Sequence, residues 1–318
     1  MNLILRPGKP ADANACATIC YEAFKTIAEA HNFPPDIPSS EVAATFLNWM
    51  FSHPGFYTVV AELDGKIIGS NVLDERNSIA GVGPITVDPA VQNKTAGRQL
   101  MEDVLDRCAR KKAPGVRLVQ AAYHNRSLSL YTKFGFVVRE PLVCLQSPHV
   151  GQASHLSHST TAIVGQASRL SDSAAATAEP PVLSQELPGY AVRPAAETDL
   201  AACNRVCRRV HGHDRGGELQ DAIQQKTATV VEHRGHITGY ATIIGFFGHA
   251  VGETNEELKA LIGAAPAFAG PGFLLPARNA ELFRWCLGNG LRVTQPMTLM
   301  SLGLYNEPAA AFLPSITY

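Results

Sequence analysis

The segment ITVDPAVQNKTAGRQLMEDVL, Ile85 to Leu105, decides how the fold of this chain is interpreted. Its first residues favour a strand, Pro89 marks the exit from that strand, and a short polar loop follows. The apolar residues Leu100, Met101 and Val104 then recur at helical spacing. A strand, a loop and a helix in this order can bind phosphate groups on backbone N–H groups at the helix N-terminus. The segment therefore predicts a phosphate-binding loop over residues 92–97.

Thr95 stands in this loop where a glycine is expected. A threonine still offers a backbone N–H, provided that its φ is negative and helical. If Thr95 lies in the first helical turn, the loop is intact. A positive φ would instead predict weak binding.

Length and composition place the chain among ordinary globular proteins. Its 318 residues exceed the usual size of one domain, so two domains are expected. The net charge of −1 offers no electrostatic reason to bind nucleic acid or an anionic membrane. No apolar run reaches the length of a membrane span and no signal peptide is evident, so a cytoplasmic location is expected. The seven Cys include no CxxC pair, which favours free thiols and no metal site.

The two halves of the sequence are related. LRPGKPADANACATICYEAF and VRPAAETDLAACNRVCRRVH align without a gap, with five identities at one offset of 187 residues. Between the halves the sequence is rich in Ser, Ala and Thr and poor in large apolar residues, which predicts a flexible linker. We therefore predict a first domain over 1–145, a linker over 146–188 and a second domain over 189–318.

The hydrophobic pattern predicts a mixed α/β fold in each half. In the first half the expected strands are 2–6, 57–63, 66–73, 79–88, 116–122 and 136–145, and the expected helices are 11–30, 40–52, 96–112 and 126–134. In the second half the expected strands are 190–193, 228–232, 236–245, 247–251 and 272–275, and the expected helices are 254–264 and 279–288.

Two motifs of the first half resemble the GNAT superfamily of acetyl-CoA-dependent N-acetyltransferases. That family carries Q/R-x-x-G-x-G/A after its fourth strand and N…Y…(L/F)GF on its last helix. The first motif reads here QNKTAG from Gln92 to Gly97. The second is represented by Asn125, Tyr131 and the segment FGF from Phe134 to Phe136. The resemblance implies two GNAT-like domains with an α+β mixed sheet, the second of them degenerate.

The resemblance also implies how acetyl-CoA would be bound. In the family the pyrophosphate lies on the loop and the helix N-terminus, and the pantetheine arm lies along a strand that separates from its neighbour. The corresponding cofactor-binding residues here are Ile85, Thr86, Val87, Gln92, Asn93, Lys94, Thr95, Ala96, Gly97, Arg98 and Asn125. For Asn125, an N-cap role is as good an interpretation of the bare sequence.

Acetyl transfer to an amine requires a proton for the leaving thiolate and a base for the amine. The family places a tyrosine beside the sulfur, so Tyr131 is the expected proton donor, with packing in the core as its alternative role. The expected strand 79–88 has no carboxylate before Asp88. Glu75 is therefore the first choice as base, while His124 and a relay of waters stay open.

The second half has lost the features that the cofactor would need. The segment GHAVGETNEELKALIGAA passes from strand to helix without the long loop. Glu253, Glu256 and Glu257 at this helix start would repel a pyrophosphate but are ordinary stabilising charges for a helix. Trp285 replaces the tyrosine and cannot supply a proton. This copy is expected to complete a core, wall the acceptor cleft or mediate dimerisation, and its apolar C-terminal tail is expected to be docked.

These observations predict an acetyl-CoA-dependent N-acetyltransferase that acts on a small-molecule or protein amine by direct attack in a ternary complex. Phe24, His31, Phe33 and Phe51 are candidates to line the acceptor site. Two alternatives stay open: a non-catalytic CoA-binding or regulatory protein with this fold, and an acyltransferase that uses another acyl-CoA. A homodimer is left open as the assembly.

Overall fold

The computed structural model describes residues 3–92, 95–148, 183 and 187–318. The chain forms two compact units. The first comprises Met1–Leu142, Thr294–Tyr305 and Ile316–Tyr318, and the second comprises Val143–Val293 and Asn306–Ser315. The expected boundaries at 145 and 189 remain predictions, and most of the expected linker 146–188 lies outside the described residues.

The first unit alternates strands and helices in the order that the sequence predicts. Its elements are β1 (Leu3–Pro7), α1 (Ala13–Ala30), α2 (Ser40–Ser52), β2 (Phe56–Leu63), β3 (Lys66–Asp74), β4 (Ala80–Val82), β5 (Thr86–Val87), α3 (Ala96–Arg110), β6 (Gly115–Ala121), α4 (Asn125–Lys133) and the first part of β7 (Val137–Gln146). Strands β1, β2, β3 and β4 pair antiparallel in that order, and β4 pairs parallel with β6.

A segment from the C-terminal part of the chain completes this sheet. Residues 297–303 of β13 (Arg292–Gly303) pair antiparallel with β6, so that Met297 lies opposite Ala121 and Gly303 lies opposite Gly115. This pairing explains why residues 294–305 belong to the first unit. No strand was expected here from the sequence.

The helices bury the stripes that their sequences predict. On α3, Leu100, Met101, Val104 and Cys108 are buried against the sheet. On α1, Cys16 and Cys20 are fully buried, which agrees with a packing role for these thiols.

The expected strand 79–88 is two short strands, β4 and β5. Between them Gly83 has a φ of 133°, which favours glycine, and Pro84 has no N–H to donate to a ladder. The single-strand prediction was therefore wrong at its centre. Because of this break, β5 does not continue β4 as one strand, and β5 pairs with β3.

The second unit repeats the same plan. Its elements are the end of β7, then β8 (Tyr190–Pro194), α5 (Leu200–His211), α6 (Gly216–Gln224), β9 (Thr229–His233), β10 (His236–Ala241), β11 (Ala250–Gly252), α7 (Asn255–Ala264), β12 (Phe273–Pro276), α8 (Ala280–Gly288) and β14 (Ala311–Leu313). A five-stranded sheet has the order β14, β11, β10, β9 and β8.

The duplication inferred from the sequence is visible in matching ion pairs. Arg6 Nη1 lies 2.7 Å from Asp12 Oδ2, and Arg193 Nη1 lies 2.7 Å from Asp199 Oδ2. Arg6 comes from β1 and Arg193 from β8, and each aspartate is the N-cap of the helix that follows. The same contact therefore orders the entry to the first helix in both units.

Candidate functional site

The phosphate loop predicted from the sequence ends at the N-terminus of α3. Thr95 is the N-cap, with φ 67° and ψ −12°, and its carbonyl accepts a hydrogen bond from Gln99 N at 3.0 Å. Thr95 thus precedes the first turn and has the left-handed conformation that favours glycine. Of the two alternatives for this residue, the structure shows the one that predicts weaker binding. Asn93 and Lys94 lie outside the described residues.

The first turn of α3 nevertheless offers hydrogen-bond donors to an anion. The N–H groups of Ala96, Gly97 and Arg98 precede the first intrahelical bond, so the helix itself cannot satisfy them. At Gly97 an added Cβ would meet only Val87 Cγ2, at 3.7 Å, which leaves room beside the backbone. Ala96 is buried and anchors this turn in the core. The three N–H groups and the positive end of the helix dipole favour bound negative charge here.

Two arginines bring positive charge to this helix start. Arg98 is exposed, with its guanidinium 6.0 Å from the Phe134 ring at the end of α4. Gln92 links the loop to both neighbouring elements, because its Nε2 donates to Val87 O at 3.0 Å and its Oε1 accepts from Arg126. Arg126 was missed from the sequence, since one arginine at a helix start carries no signal of the loop that it meets.

Strand β5 has a free edge beside this loop. Its residues Thr86 and Val87 pair with Ser70 and Gly69 of β3, and no second strand pairs with β5 among the described residues. Strands β4 and β6 pair at Ala80 and Gly81, and the chain that continues from β4 into β5 separates from β6 beyond that point. Ile85, at the start of the separation, is partly buried. The strand separation implied by the family resemblance is therefore present.

Tyr131 lies on α4 and is buried in the core of the first unit. Its side chain is 8% exposed and its ring meets Phe136 edge to face, with the centroids 6.2 Å apart. Burial raises the pKa of Tyr131, so the phenol stays protonated at neutral pH. It is a weaker acid than a free tyrosine, yet it is always in the form that can donate a proton.

Asn125 is the first residue of α4, and the N-cap is His124. The N-cap interpretation of Asn125 is therefore wrong, and its side chain is exposed at the start of the helix. Burial, with smaller effects of Arg126 and His31, lowers the pKa of the His124 ring to about 4. The ring is neutral at pH 7, and among the described residues nothing hydrogen bonds to its buried Nε2.

Glu75 is held by two cations of α3. Its Oε1 lies 2.6 Å from Arg107 Nε and its Oε2 lies 2.9 Å from Lys111 Nζ. Burial opposes ionisation, but the hydrogen bonds from both cations outweigh it and lower the pKa of Glu75. Arg107 lies ten residues beyond Gly97, or about 15 Å along the helix. Because of this placement and these pairings, the structure disfavours Glu75 as the general base.

The corresponding helix start in the second unit is already satisfied. Thr254 is the N-cap of α7, and the Glu257 carboxylate accepts from Thr254 N at 2.8 Å and from Thr254 Oγ1 at 2.6 Å. This capping box places a carboxylate at the helix start, where its negative charge disfavours a bound anion. It agrees with the interpretation of the acidic residues as ordinary N-terminal charges.

The counterpart of the free strand edge is also covered in the second unit. Strand β11 pairs with β10 and, on its other side, with β14, where Val251 lies opposite Phe312. The C-terminal tail is thus docked, as expected from its apolar sequence. At the start of α8, Asn279 is a true N-cap that accepts from Leu282 N at 3.3 Å.

Metal clusters and membrane-spanning helices are both absent from the described residues. Within those residues, no three His, Cys, Asp or Glu side chains cluster in a way that could hold a metal ion. None of their helices is both long enough and apolar enough to cross a membrane.

Comparison with known proteins relates one segment of the first unit to a family. Residues 21–136 match the model of the Acetyltransferase (GNAT) family. The match includes the free strand edge, the loop and the helix that carries Tyr131. No protein of curated function is similar enough in sequence to count as a match.

Solved structures show the fold of the whole chain. A protein from Pyrococcus horikoshii that is named as an acetyltransferase is 16% identical, with a TM-score of 0.67 over 97% of this chain and 92% of that one. A GCN5-related N-acetyltransferase from Sphaerobacter thermophilus is 16% identical, with a TM-score of 0.58 over 96% of each chain. A tandem GNAT protein from the clavulanic acid biosynthesis pathway is 11% identical, with a TM-score of 0.50 over 95% of this chain and 98% of that one. The chain therefore has the fold of these tandem GNAT proteins.

Proposed function

We propose that the first unit is an acetyl-CoA-dependent N-acetyltransferase that transfers acetyl to an amine by direct attack in a ternary complex. One observation carries this proposal: an anion-binding helix start and a free strand edge lie together in the first unit, and both are occupied by protein groups in the second. The α3 turn offers three N–H groups next to Arg98 and Arg126, and β5 has an edge with no strand partner among the described residues, where Val87 O accepts only from Gln92 Nε2. These groups fit a pyrophosphate and an amide-containing arm, respectively.

The residues of this chain would then divide the work. Acetyl-CoA supplies the acetyl group as a thioester. Gln92, Ala96, Gly97 and Arg98 would hold its phosphates, joined by Asn93, Lys94 and Thr95 of the same loop. Ile85, Thr86, Val87 and Asn125 would align the arm. Tyr131 would give its phenolic proton to the sulfur as the thiol leaves.

The second copy gives an internal reason to place the activity in the first unit. At its helix start the Glu257 carboxylate disfavours an anion, and its strand edge is paired with β14, so both features are less suited to the cofactor than those of the first unit. A regulatory CoA-binding protein would keep the same binding features, and another acyl-CoA would use the same loop. Turnover assays with several acyl-CoA thioesters separate these alternatives from acetyl transfer.

The deciding experiment is a calorimetric titration of acetyl-CoA into the full chain and into Gly97→Glu. The added carboxylate would stand beside the N–H groups of the first turn and repel the phosphates, so binding should fall at least 100-fold. Ala109→Glu is the matched control, because it adds the same charge to an exposed position at the other end of α3. It should bind acetyl-CoA within about twofold of the unmodified chain. Equal affinity of Gly97→Glu and the control would refute the placement of the site.

A further inference from the structure

A buried carboxyl group lies in the loop between α1 and α2. Asp36 is 6% exposed, although the surrounding sequence, FPPDIP, has the composition of a surface loop. Its Oδ1 accepts a hydrogen bond from Gln295 Nε2 at 2.6 Å. Among the described residues, Gln295 is the only one that hydrogen bonds to this carboxyl group. A buried carboxyl group with one hydrogen bond has unused capacity for a further donor.

A cluster of aromatic rings is connected to this carboxyl group through Gln295. The Tyr123 hydroxyl lies 3.4 Å from Gln295 Oε1, which joins it to the same hydrogen-bonded chain. Phe33 stacks on Tyr123 with the centroids 4.4 Å apart, and the His31 ring lies 5.3 Å from Tyr123. Two of the four residues expected to line the acceptor site, His31 and Phe33, are therefore brought together here. Phe51 is instead buried in the core.

This cluster lies at the end of β6 from which the helix of Tyr131 begins. Ala122 N donates to Pro296 O at 3.0 Å, which continues the ladder between β6 and β13 and keeps Gln295 beside Tyr123. Gln120, the penultimate residue of β6, is also buried, and within the described part of the chain its Nε2 has no partner. With His124 Nε2, this end of the strand carries two buried polar atoms that a bound molecule could satisfy.

We propose that Asp36 binds the ammonium group of a small monoamine acceptor and takes its proton, with Gln295 as the positioning residue. The inference rests on the proposed acetyl transfer and names the acceptor group of the same site. It replaces Glu75, whose two ion pairs disfavour proton uptake.

The proposed step is balanced in atoms and charge. Asp36, as the carboxylate, takes one proton from the ammonium group and leaves a neutral amine. The nitrogen lone pair forms a bond to the acetyl carbon, and the bond from that carbon to sulfur breaks. The second N–H proton leaves as the amide forms and restores the phenol of Tyr131, which has given its own proton to the sulfur, and the proton on Asp36 is released to water.

The surroundings also define the class of acceptor. One carboxyl group matches one positive charge, and aromatic faces attract a cation while offering a flat apolar surface. A primary amine on an aromatic or alkyl skeleton fits these groups better than a polyamine, whose further charges would meet no carboxylate in this cluster. The probe of choice is 2-phenylethylamine, with spermidine as the comparison.

The burial of Asp36 affects its ionisation. Burial raises the pKa of Asp36 to about 6, and the hydrogen bond from Gln295 limits the rise. Cys20 of α1 and Tyr123 also face it, and burial raises the pKa of both, so they stay protonated there. Because Asp36 must be ionised to accept a proton, activity should fall as the pH drops through about 6.

The test uses the full chain, Asp36→Asn and the control Asp106→Asn, which makes the same change at an exposed position of α3. Calorimetry with acetyl-CoA is measured first, followed by thiol release with 2-phenylethylamine between pH 5.5 and 9. We expect Asp36→Asn to bind acetyl-CoA normally, to lose about 100-fold in kcat/KM and to lose the acidic limb of the pH profile. The control should match the unmodified chain, and spermidine should be at least tenfold poorer than 2-phenylethylamine.

A second variant keeps the Asp36 carboxyl group and removes only its hydrogen bond from Gln295. Gln295→Leu removes the hydrogen bond that lowers the pKa of Asp36, so its acidic limb should move to higher pH. A role in packing alone would not move that limb.

Unchanged kcat/KM in Asp36→Asn overturns the assignment, as does an unmoved acidic limb in Gln295→Leu. Normal acetyl-CoA binding without thiol release from 2-phenylethylamine overturns the acceptor class. An unmodified chain that does not bind acetyl-CoA overturns the proposed function itself, and this inference with it.

Discussion

Replacement of Thr95 by glycine should stabilise the protein, although it removes a side chain. Thr95 holds a φ of 67° at the N-cap of α3. The left-handed conformation costs an L-residue about 1–2 kcal/mol, and a branched Cβ makes it rarer still. Glycine avoids this cost but loses about 0.5–1 kcal/mol through the greater freedom of the unfolded chain. The net gain should be about 0.5–1 kcal/mol.

Thermal unfolding measures this gain directly. A change of 1 kcal/mol corresponds to roughly 2–4 °C in Tm for a domain of 150–250 residues. Thr95→Asn is the matched control, because asparagine tolerates the left-handed conformation without the freedom of glycine. Both variants should therefore unfold at higher temperature than the unmodified chain, and Thr95→Ala should gain less than either. If the strain is released when the loop binds phosphate, Thr95→Gly stabilises only the free protein, and affinity for acetyl-CoA should fall by up to about fivefold.

A lower Tm for both Thr95→Gly and Thr95→Asn would contradict this reasoning. It would mean that the threonine side chain stabilises the loop by more than its conformation costs. If Thr95→Gly is more stable but binds acetyl-CoA with unchanged affinity, the strain at residue 95 is the same in the free and the bound protein.

Two further predictions concern the residues assigned from the family resemblance. Tyr131→Phe should keep the fold and acetyl-CoA affinity but lower turnover by roughly 10- to 1,000-fold, and unchanged turnover in a thiol-release assay would leave Tyr131 as a packing residue. Glu75→Gln should lower the free energy of unfolding by about 1 kcal/mol through its lost ion pairs, with no change in the pH profile of turnover. The pKa of Glu75 is lower in the folded protein, so its ionised form stabilises the fold above its unfolded pKa, and this stabilisation is lost as the pH falls through the folded pKa. The free energies of unfolding of the unmodified chain and Glu75→Gln, measured in urea, should therefore converge in acid.

Elements with a long periodic pattern could be predicted from the sequence, and those that depend on distant partners could not. The buried stripe of α3 could be predicted because the spacing of Leu100, Met101 and Val104 is a local feature of the sequence. Residues 292–303 form a strand because β6 offers an edge, and this partner lies some 180 residues earlier in the chain. Helix α6 follows a Gly turn and is short, so its period was too weak to detect.

The same limit applies to the site. Gly97 and Tyr131 lie in the two motifs that carry the resemblance to the GNAT family, and that resemblance implied their roles. Asp36 lies among prolines, and its burial depends on Gln295, which is 259 residues away. For Glu75 a signal was available, because Arg107 and Lys111 are spaced i, i+4 on the helix and present two cations on one face.

The strand β14 has a consequence for how the second copy could change. Point substitutions at its acidic helix start would leave β11 covered, because Ala311, Phe312 and Leu313 still pair with it. Revival of acyl-donor binding in this copy would first require a rearranged chain end. A library for directed evolution should therefore vary the length and sequence of residues 306–315 before any residue of the helix. Strand β14 covers in the second unit the edge that β5 leaves without a strand partner in the first, and a strand pairing is harder to undo than a single side chain is to change.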